Sequence, residues 1–367
     1  MIKDIKRIVF KFGTNILRNE QGEISLSHLY SFIEDISYLY REKKEILIVT
    51  SGAIGLGAKK LKTETKTTTQ KQAAASVGQP MLMGIWQDGF EKYGITTAQI
   101  LLTEDDFSNR HKYLSLRSTL HALLENGVIP VINQNDTVSP TECERASFSD
   151  NDKLSSIVAS KLDADLLVMV SDIDGLYDKN PKTESDAKLI KIVQKVTPKI
   201  EKMAQGASLG GRGGMITKLI AAKAATSSGV IAKIVNGKIP GIIKKIFDDE
   251  AGTTFLPNKN LSHKKRWIAY ATNIMGVIKV NKGASDAIIN NQKSLLSVGI
   301  IDAKGDFKKG EIISIVNEDD VEFARGITNY DCSDINKIKG QHSVKIEEIL
   351  GYKYDDDVVI KDNLVLI

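Results

Sequence analysis

The sequence predicts an α/β protein: a three-layer α/β/α sandwich on a mainly parallel sheet, followed by a small β-rich module. Short apolar runs alternate with helical stretches from Arg7 to Asn236, and such alternation puts helices on both faces of a parallel sheet. Most of those runs are Val/Ile/Leu-rich throughout, as strands covered on both faces are. Beyond Gly276 the pattern changes to short strands set apart by Gly and Asp turns.

Arg7–Phe12 is the first strand, with Lys11 near its end and Gly13-Thr14-Asn15 after it. Ser27–Arg41 repeats apolar residues at Leu29, Phe32, Ile33, Ile36, Leu39 and Tyr40, a spacing of three and four that makes one helical face. Glu45–Thr50 is a strand running into Ser51-Gly52-Ala53, and the Thr- and Lys-rich stretch Lys62–Gln70 reads as an exposed loop. Gln72–Tyr93 is helical, with Gly78 and Pro80 as expected break points. Its Met81, Met83, Trp86 and Phe90 read as core or subunit interface. Strands at Thr97–Thr103, Val128–Asn133, Asp165–Ser171 and Val230–Asn236 alternate with helices at Tyr113–Asn126, Leu154–Leu162 and Thr217–Ser228. Residues 258–273 have linker composition, and Trp267 within them reads as packing at a domain junction. Gly276–Val280, Gly310–Val316 and Glu322–Ile327 are the strands of the second module. The expected layout is a first domain over 1–257, a linker over 258–273, a module over 274–355 and a tail over 356–367.

A chain of 367 residues with 42% hydrophobic and 26% charged residues suits two globular domains. No apolar run reaches the length of a membrane span, and the N-terminus enters a strand without a signal-peptide core, so a cytoplasmic protein is expected. Cys143 and Cys332 fall in different expected domains, which argues against a disulfide framework or a zinc site. The five histidines show no metal-ligand spacing, so no metal bound directly by side chains is expected. The net charge of +4 is uneven: from Ile274 onward 12 Lys and Arg face 16 Asp and Glu, leaving the body at +8. A basic body suits anionic substrates, whereas the acidic module lacks the basic face that nucleic acid requires.

Two phosphate-competent segments lie far apart, with no Walker A motif. Ser208–Lys218 is glycine-rich and opens a helix, where unpaired N–H groups and the helix dipole favour an anion. Lys11 and Lys218 add full charges of the kind a migrating phosphoryl group needs. Polar loops also follow at Ser51–Ala53, Asn133–Asp136, Ser149–Lys153 and Ser171–Tyr177. One such loop is no more than a turn or a cap. Several gathered at one sheet edge make a ligand site.

These residues carry a resemblance. Val9–Thr14, Val49–Ile54, the Asn133–Asp136 turn, Ser171-Asp172 through Leu176-Tyr177 and Gly213-Gly214-Met215 through Lys218 resemble the amino acid kinase family. Ser51–Ile54, Ser149–Lys153 and Gly210–Lys218 are most similar to its members that phosphorylate the side-chain carboxylate of L-glutamate, the first step of proline biosynthesis. Gly326–Tyr330 and segments between Ile338 and Tyr352 resemble the PUA module appended to many of them. The resemblance implies the amino acid kinase fold and ATP, with Mg²⁺ held mainly through its phosphates. The chemistry of the transfer, which needs two anions aligned and the migrating charge neutralised, sets Lys11 and Lys218 on either side of the transferring group with Asp152 holding their ammonium groups. By the resemblance, the other roles follow. Ser51, Asp136 and Asn151 go to glutamate, while Lys11, Ser171, Asp172, Arg212, Gly213, Gly214, Met215, Ile216, Thr217 and Lys218 go to ATP. A carboxylate acceptor is already ionised at neutral pH and needs no general base. Asp136 is the natural partner of an α-ammonium and would be costly to bury beside an acylated amine, which favours free glutamate over N-acetylglutamate.

Three positions depart from the family pattern: Asn15 where Ser is frequent, Gln134 where Glu is usual, and Arg212 where a small residue or Thr is common. The family works as dimers or tetramers, commonly answers to proline at the glutamate site, and passes its acyl phosphate to a glutamyl phosphate reductase; these residues leave each of those open for this chain. The alternatives are a kinase of N-acetylglutamate or aspartate, an RNA-binding PUA protein, and a silent glutamate or proline sensor.

Overall fold

The computed structural model describes residues 5–19, 24–138, 151–181, 183–206, 214–248, 251–257, 265, 268–269 and 274–367. They fall into two units, Met1–Asn260 and Leu261–Ile367. The first unit begins β1 (Arg7–Phe12), α1 (Leu26–Arg41), β2 (Glu45–Val49), α2 (Ala53–Leu61), α3 (Thr68–Glu91), β3 (Thr97–Leu102), α4 (Glu104–Ser108), α5 (Arg110–Glu125) and β4 (Ile129–Gln134). It continues α6 (Asn151–Lys161), β5 (Leu166–Ser171), β6 (Ile192–Val193), α7 (Pro198–Gly206), α8 (Met215–Ser227), β7 (Ile231–Asn236) and β8 (Thr253–Phe255).

These strands form an eight-stranded sheet in the order β3-β4-β2-β1-β5-β7-β8-β6. Every pairing is parallel except β7 with β8. Side chains alternate between two cores. Ile8, Phe10 and Phe12 of β1 join Ile33 and Ile36 of α1 and Trp86 and Phe90 of α3. Val9 joins Leu154 and Val158 of α6 and Leu219 and Ala222 of α8. Strands that are apolar at every position therefore feed a helical layer on each face. From β1 the chain passes to β2, goes out to β3 at the sheet edge, comes back to insert β4 between β3 and β2, and then crosses to lay β5 on the other side of β1. That reversal opens a crevice at the carboxyl ends of the strands.

Three expectations need correction. The loop expected over Lys62–Gln70 is shorter, because Thr67 and Gln70 cap each other reciprocally and start α3 at Thr68. Gly78 and Pro80 do not break that helix, which runs for 24 residues. An internal proline costs roughly 3 kcal/mol, which burial of Ala74, Ala75, Leu82, Met83, Trp86 and Phe90 offsets. Gly78 serves close packing instead: a Cβ there would overlap the Ala53 carbonyl oxygen, and one on Gly57 would overlap that of Ala74. Helix α2 itself was not expected, since Gly55 and Gly57 dilute its helical signal.

The second unit contains β9 (Gly276–Val280), β10 (Leu295–Leu296), β11 (Ile300–Gly305), β12 (Ile312–Val316), β13 (Glu322–Ile327), β14 (Asp357–Val359) and β15 (Leu364–Leu366). Five of them form a sheet in the order β11-β9-β12-β13-β15, and β10 pairs with β14. The third correction lies here, for residues 356–367 are no tail. Val358, Val359, Leu364 and Val365 are buried, in runs too short for a strand to be read from their sequence. Among the described residues no helix is long and apolar enough to cross a membrane.

Gly78→Ala should force α2 and α3 apart and lower stability by about 2 kcal/mol. Thermal unfolding of the variant beside the parent chain checks this.

Candidate active site

The carboxyl ends of β1, β2, β4 and β5 open onto one cavity of about 520 Å³. Lys11, Ser51, Asp136, Asn151, Ser171, Asp172 and Lys218 all line it. Gly214, Met215, Ile216 and Thr217 form the cap and first turn of α8 beside it. Met215 is buried, so only its backbone can meet a ligand. Arg212 and Gly213 lie outside the described residues.

At the cavity's cationic end, one carboxylate holds two ammonium groups. Lys11 Nζ of β1 lies 2.6 Å from Asp152 Oδ1, and Lys218 Nζ of α8 lies 3.0 Å from Asp152 Oδ2. All three side chains are buried. Thr217 Oγ1 donates to Asp152 Oδ2 at 3.0 Å. Burial pushes the Asp152 pKa upward, but Lys11 and Lys218 outweigh it and hold the carboxyl below its ordinary value of 3.8. A carboxylate occupied in this way is a poor base and a good strut. The α8 cap, Gly214, supplies no side-chain hydrogen bond to the first turn, which leaves that turn's N–H groups suited to an anion.

A second carboxylate and a side-chain amide also line the cavity. Asp136, just past β4, is half-buried, and burial pushes its carboxyl up to about 6. Asn151 Nδ2 donates to the Thr50 carbonyl and, at 2.9 Å, to Asn133 Oδ1. In the cavity wall, Thr14 Oγ1 donates to Ser51 Oγ, which donates to the Phe12 carbonyl, both at 3.0 Å. Gly52 follows with φ +110, a conformation that glycine alone adopts cheaply, and caps α2. The first N–H groups of α2 thus adjoin the cavity wall formed by Gly52, Ala53, Ile54 and Gly55.

Of the unusual positions, Asn15 donates to Asp172 Oδ2 at 3.4 Å and Gln134 lines the cavity. Lys153 pairs with Glu104 on the surface. Sequence reasoning missed Arg18, which lines the cavity with its guanidinium lying over Gly55. It also missed Gln79, whose Oε1 accepts from Asn133 Nδ2 at 2.7 Å. Neither position carries a motif or a periodic signal.

The family model for the amino acid kinase family matches residues 6–236, and that for the PUA domain matches residues 276–350. The chain belongs to the amino acid kinase family. It is 44% identical over 366 residues to a protein named glutamate 5-kinase from Caldanaerobacter subterraneus subsp. tengcongensis, covering 98% of each chain. A glutamate 5-kinase from Thermoanaerobacter sp. is 43% identical, again over 98% of each chain. One from Trichlorobacter lovleyi is 42% identical, over 100% of this chain and 98% of the relative. In this family member the two lysines and the aspartate come from β1, α6 and α8, so the centre exists only once those elements pack.

Asp152→Asn should cost about 3 kcal/mol at neutral pH, because two buried ammonium groups lose their counter-charge. The folded pKa of Asp152 lies below 3.8, so its stabilisation is full above that value and is lost as pH falls through the lowered pKa. The stability gap between parent and variant should therefore close in acid. Urea unfolding at a series of pH values measures it.

Proposed function

We propose that this cavity transfers the γ-phosphoryl group of ATP to the side-chain carboxylate of L-glutamate, forming L-glutamyl 5-phosphate, the first step of proline biosynthesis. The observation that carries the proposal is the pair of buried ammonium groups, Lys11 and Lys218, held on one carboxylate where four strand ends meet. The likeness to proteins named glutamate 5-kinase along nearly the whole chain selects the acceptor.

The glutamate carboxylate is ionised at neutral pH, so no proton has to be removed from the nucleophile. Its oxygen attacks the γ-phosphorus while the bond to the β–γ bridging oxygen breaks and ADP leaves. Two anions must be aligned and the charge on the migrating group neutralised. Lys11 and Lys218 supply that neutralisation from different loops, and Asp152 keeps both ammonium groups where the phosphoryl group passes. Both Asp152 oxygens are taken by ammonium groups, so its donor set does not suit a metal ligand. Mg²⁺ would be held mainly through the ATP phosphates rather than by side chains of this chain, and would supply charge neutralisation there. Ser171, Asp172 and the Arg212–Lys218 segment serve the nucleotide. Asp136 takes the α-ammonium, and Ser51 with the start of α2 suits the α-carboxylate.

In the same scheme the enzyme works in the cytoplasm as a dimer or tetramer, with proline competing at the glutamate pocket. Its acyl phosphate hydrolyses readily and is consumed by a glutamyl phosphate reductase.

With Mg-ATP and hydroxylamine, glutamate should give acyl hydroxamate, whereas N-acetylglutamate and aspartate should give little. Product mainly from either of the latter would overturn the choice of acceptor. Lys218→Ala should cut turnover at least about a hundredfold while leaving the fold intact by circular dichroism. Because Asp136 titrates near 6 in the free protein, the KM for glutamate should rise as pH falls below about 6 and stay flat above it. Asp136→Asn should bind glutamate weakly at every pH; initial rates across that range check both.

A further inference from the structure

The cavity's cation-binding end is backed by a chain of side-chain amides. Asn151 Nδ2 donates to the backbone carbonyl of Thr50 and to Asn133 Oδ1 at 2.9 Å. A carbonyl oxygen only accepts, so one sense of the Asn151 amide satisfies both the Thr50 contact and the contact to Asn133. The remaining amides run in the same sense. Asn133 spends its oxygen on Asn151 and turns Nδ2 toward Gln79 Oε1 at 2.7 Å. Gln79 in turn offers Nε2 to Gln99 Oε1 at 3.1 Å. Every amide donates in one direction, from the cavity to the exposed Gln99 on strand β3. Asn151, Asn133 and Gln79 are buried, where an amide turned the wrong way would set N–H₂ against N–H₂. Both Asn151 amide protons are consumed, and its Oδ1 accepts from no described residue. The atom left for a cavity ligand is thus a pure acceptor, in a cavity that Asp136 also lines.

We propose that Gln79 and Gln99 are positioning residues: through Asn133 they keep Asn151 Oδ1 turned to the cavity, so that Asn151 and Asp136 together select an acceptor bearing an ammonium group. The proposal rests on the amino-acid acceptor proposed above. An amide chain held in the opposite sense would present donors here and would suit a carboxylate instead.

Gln99 is exposed, so its replacement tests the polarity of the chain without threatening the core. Gln99→Glu can only accept and matches the observed direction. Gln99→Lys can only donate and opposes it. The readout is the preference for L-glutamate over glutarate, which lacks the amine, taken as the ratio of kcat/KM for hydroxamate formation. Gln99→Glu should keep the parent preference within about twofold, and Gln99→Lys should lower it about tenfold through the glutamate KM, with the KM for ATP unchanged. Gln79→Met, which removes the central amide, should reproduce the Lys effect. Equal loss for glutamate and glutarate, or equal behaviour of the Glu and Lys variants, would overturn the proposal. If the parent enzyme makes no hydroxamate from glutamate, the proposed acceptor fails. The amide chain is then judged by calorimetric affinities for glutamate and glutarate, where the same split between Glu and Lys variants is expected and its absence overturns it.

Discussion

A single buried carboxylate holding two buried ammonium groups is the constraint on which the first unit's functional architecture depends. Asp152 meets Lys11 from the central strand and Lys218 from the first turn of α8. Charges taken out of water are tolerable only when paired. Strand β1 and helices α6 and α8 must therefore converge to within hydrogen-bonding distance, or all three charges are left exposed to a low dielectric. The same pairing holds the two lysines at one place, which is what a phosphoryl group in transit requires.

Around that strut the cavity is lined by groups of both signs: Lys11 and Lys218, and the carboxylate of Asp136 with the Asn151 amide, together with the Thr14–Ser51 hydroxyl pair. An amino acid with an anionic side chain carries charges of both signs and suits such a lining. The raised pKa of Asp136 has the same origin: burial without a cation beside it, which a bound ammonium would supply. The second unit, matched by the PUA model, has its own core around Ile278, Ile313, Ile315 and Tyr330.

Much of this was legible in the chain. Uniformly apolar runs announced strands with helices on both faces, and β1, β9 and β13 were located to the residue. Polar loops after strand ends marked the cavity wall, because strand–loop order along a parallel sheet decides which loops share an edge. The misses have physical reasons. Pro80 reads as a break, yet tertiary burial along α3 outweighs one lost hydrogen bond. Val358, Val359, Leu364 and Val365 sit in runs too brief to show a period. Gln79 reads as an ordinary helical residue, and Arg18 as one more polar residue of a loop.

By itself the sequence determined the α/β class, the order of the main strands and helices from β1 to β7, and the residue types available for anion and cation binding, since these follow from local propensity and periodicity. Only the tertiary structure decided which charges neutralise one another, which amide atom faces the cavity, and that a guanidinium from the loop after β1 reaches it. Those are properties of distance between residues far apart in the chain, and they exist only once the sheet has brought its strand ends together.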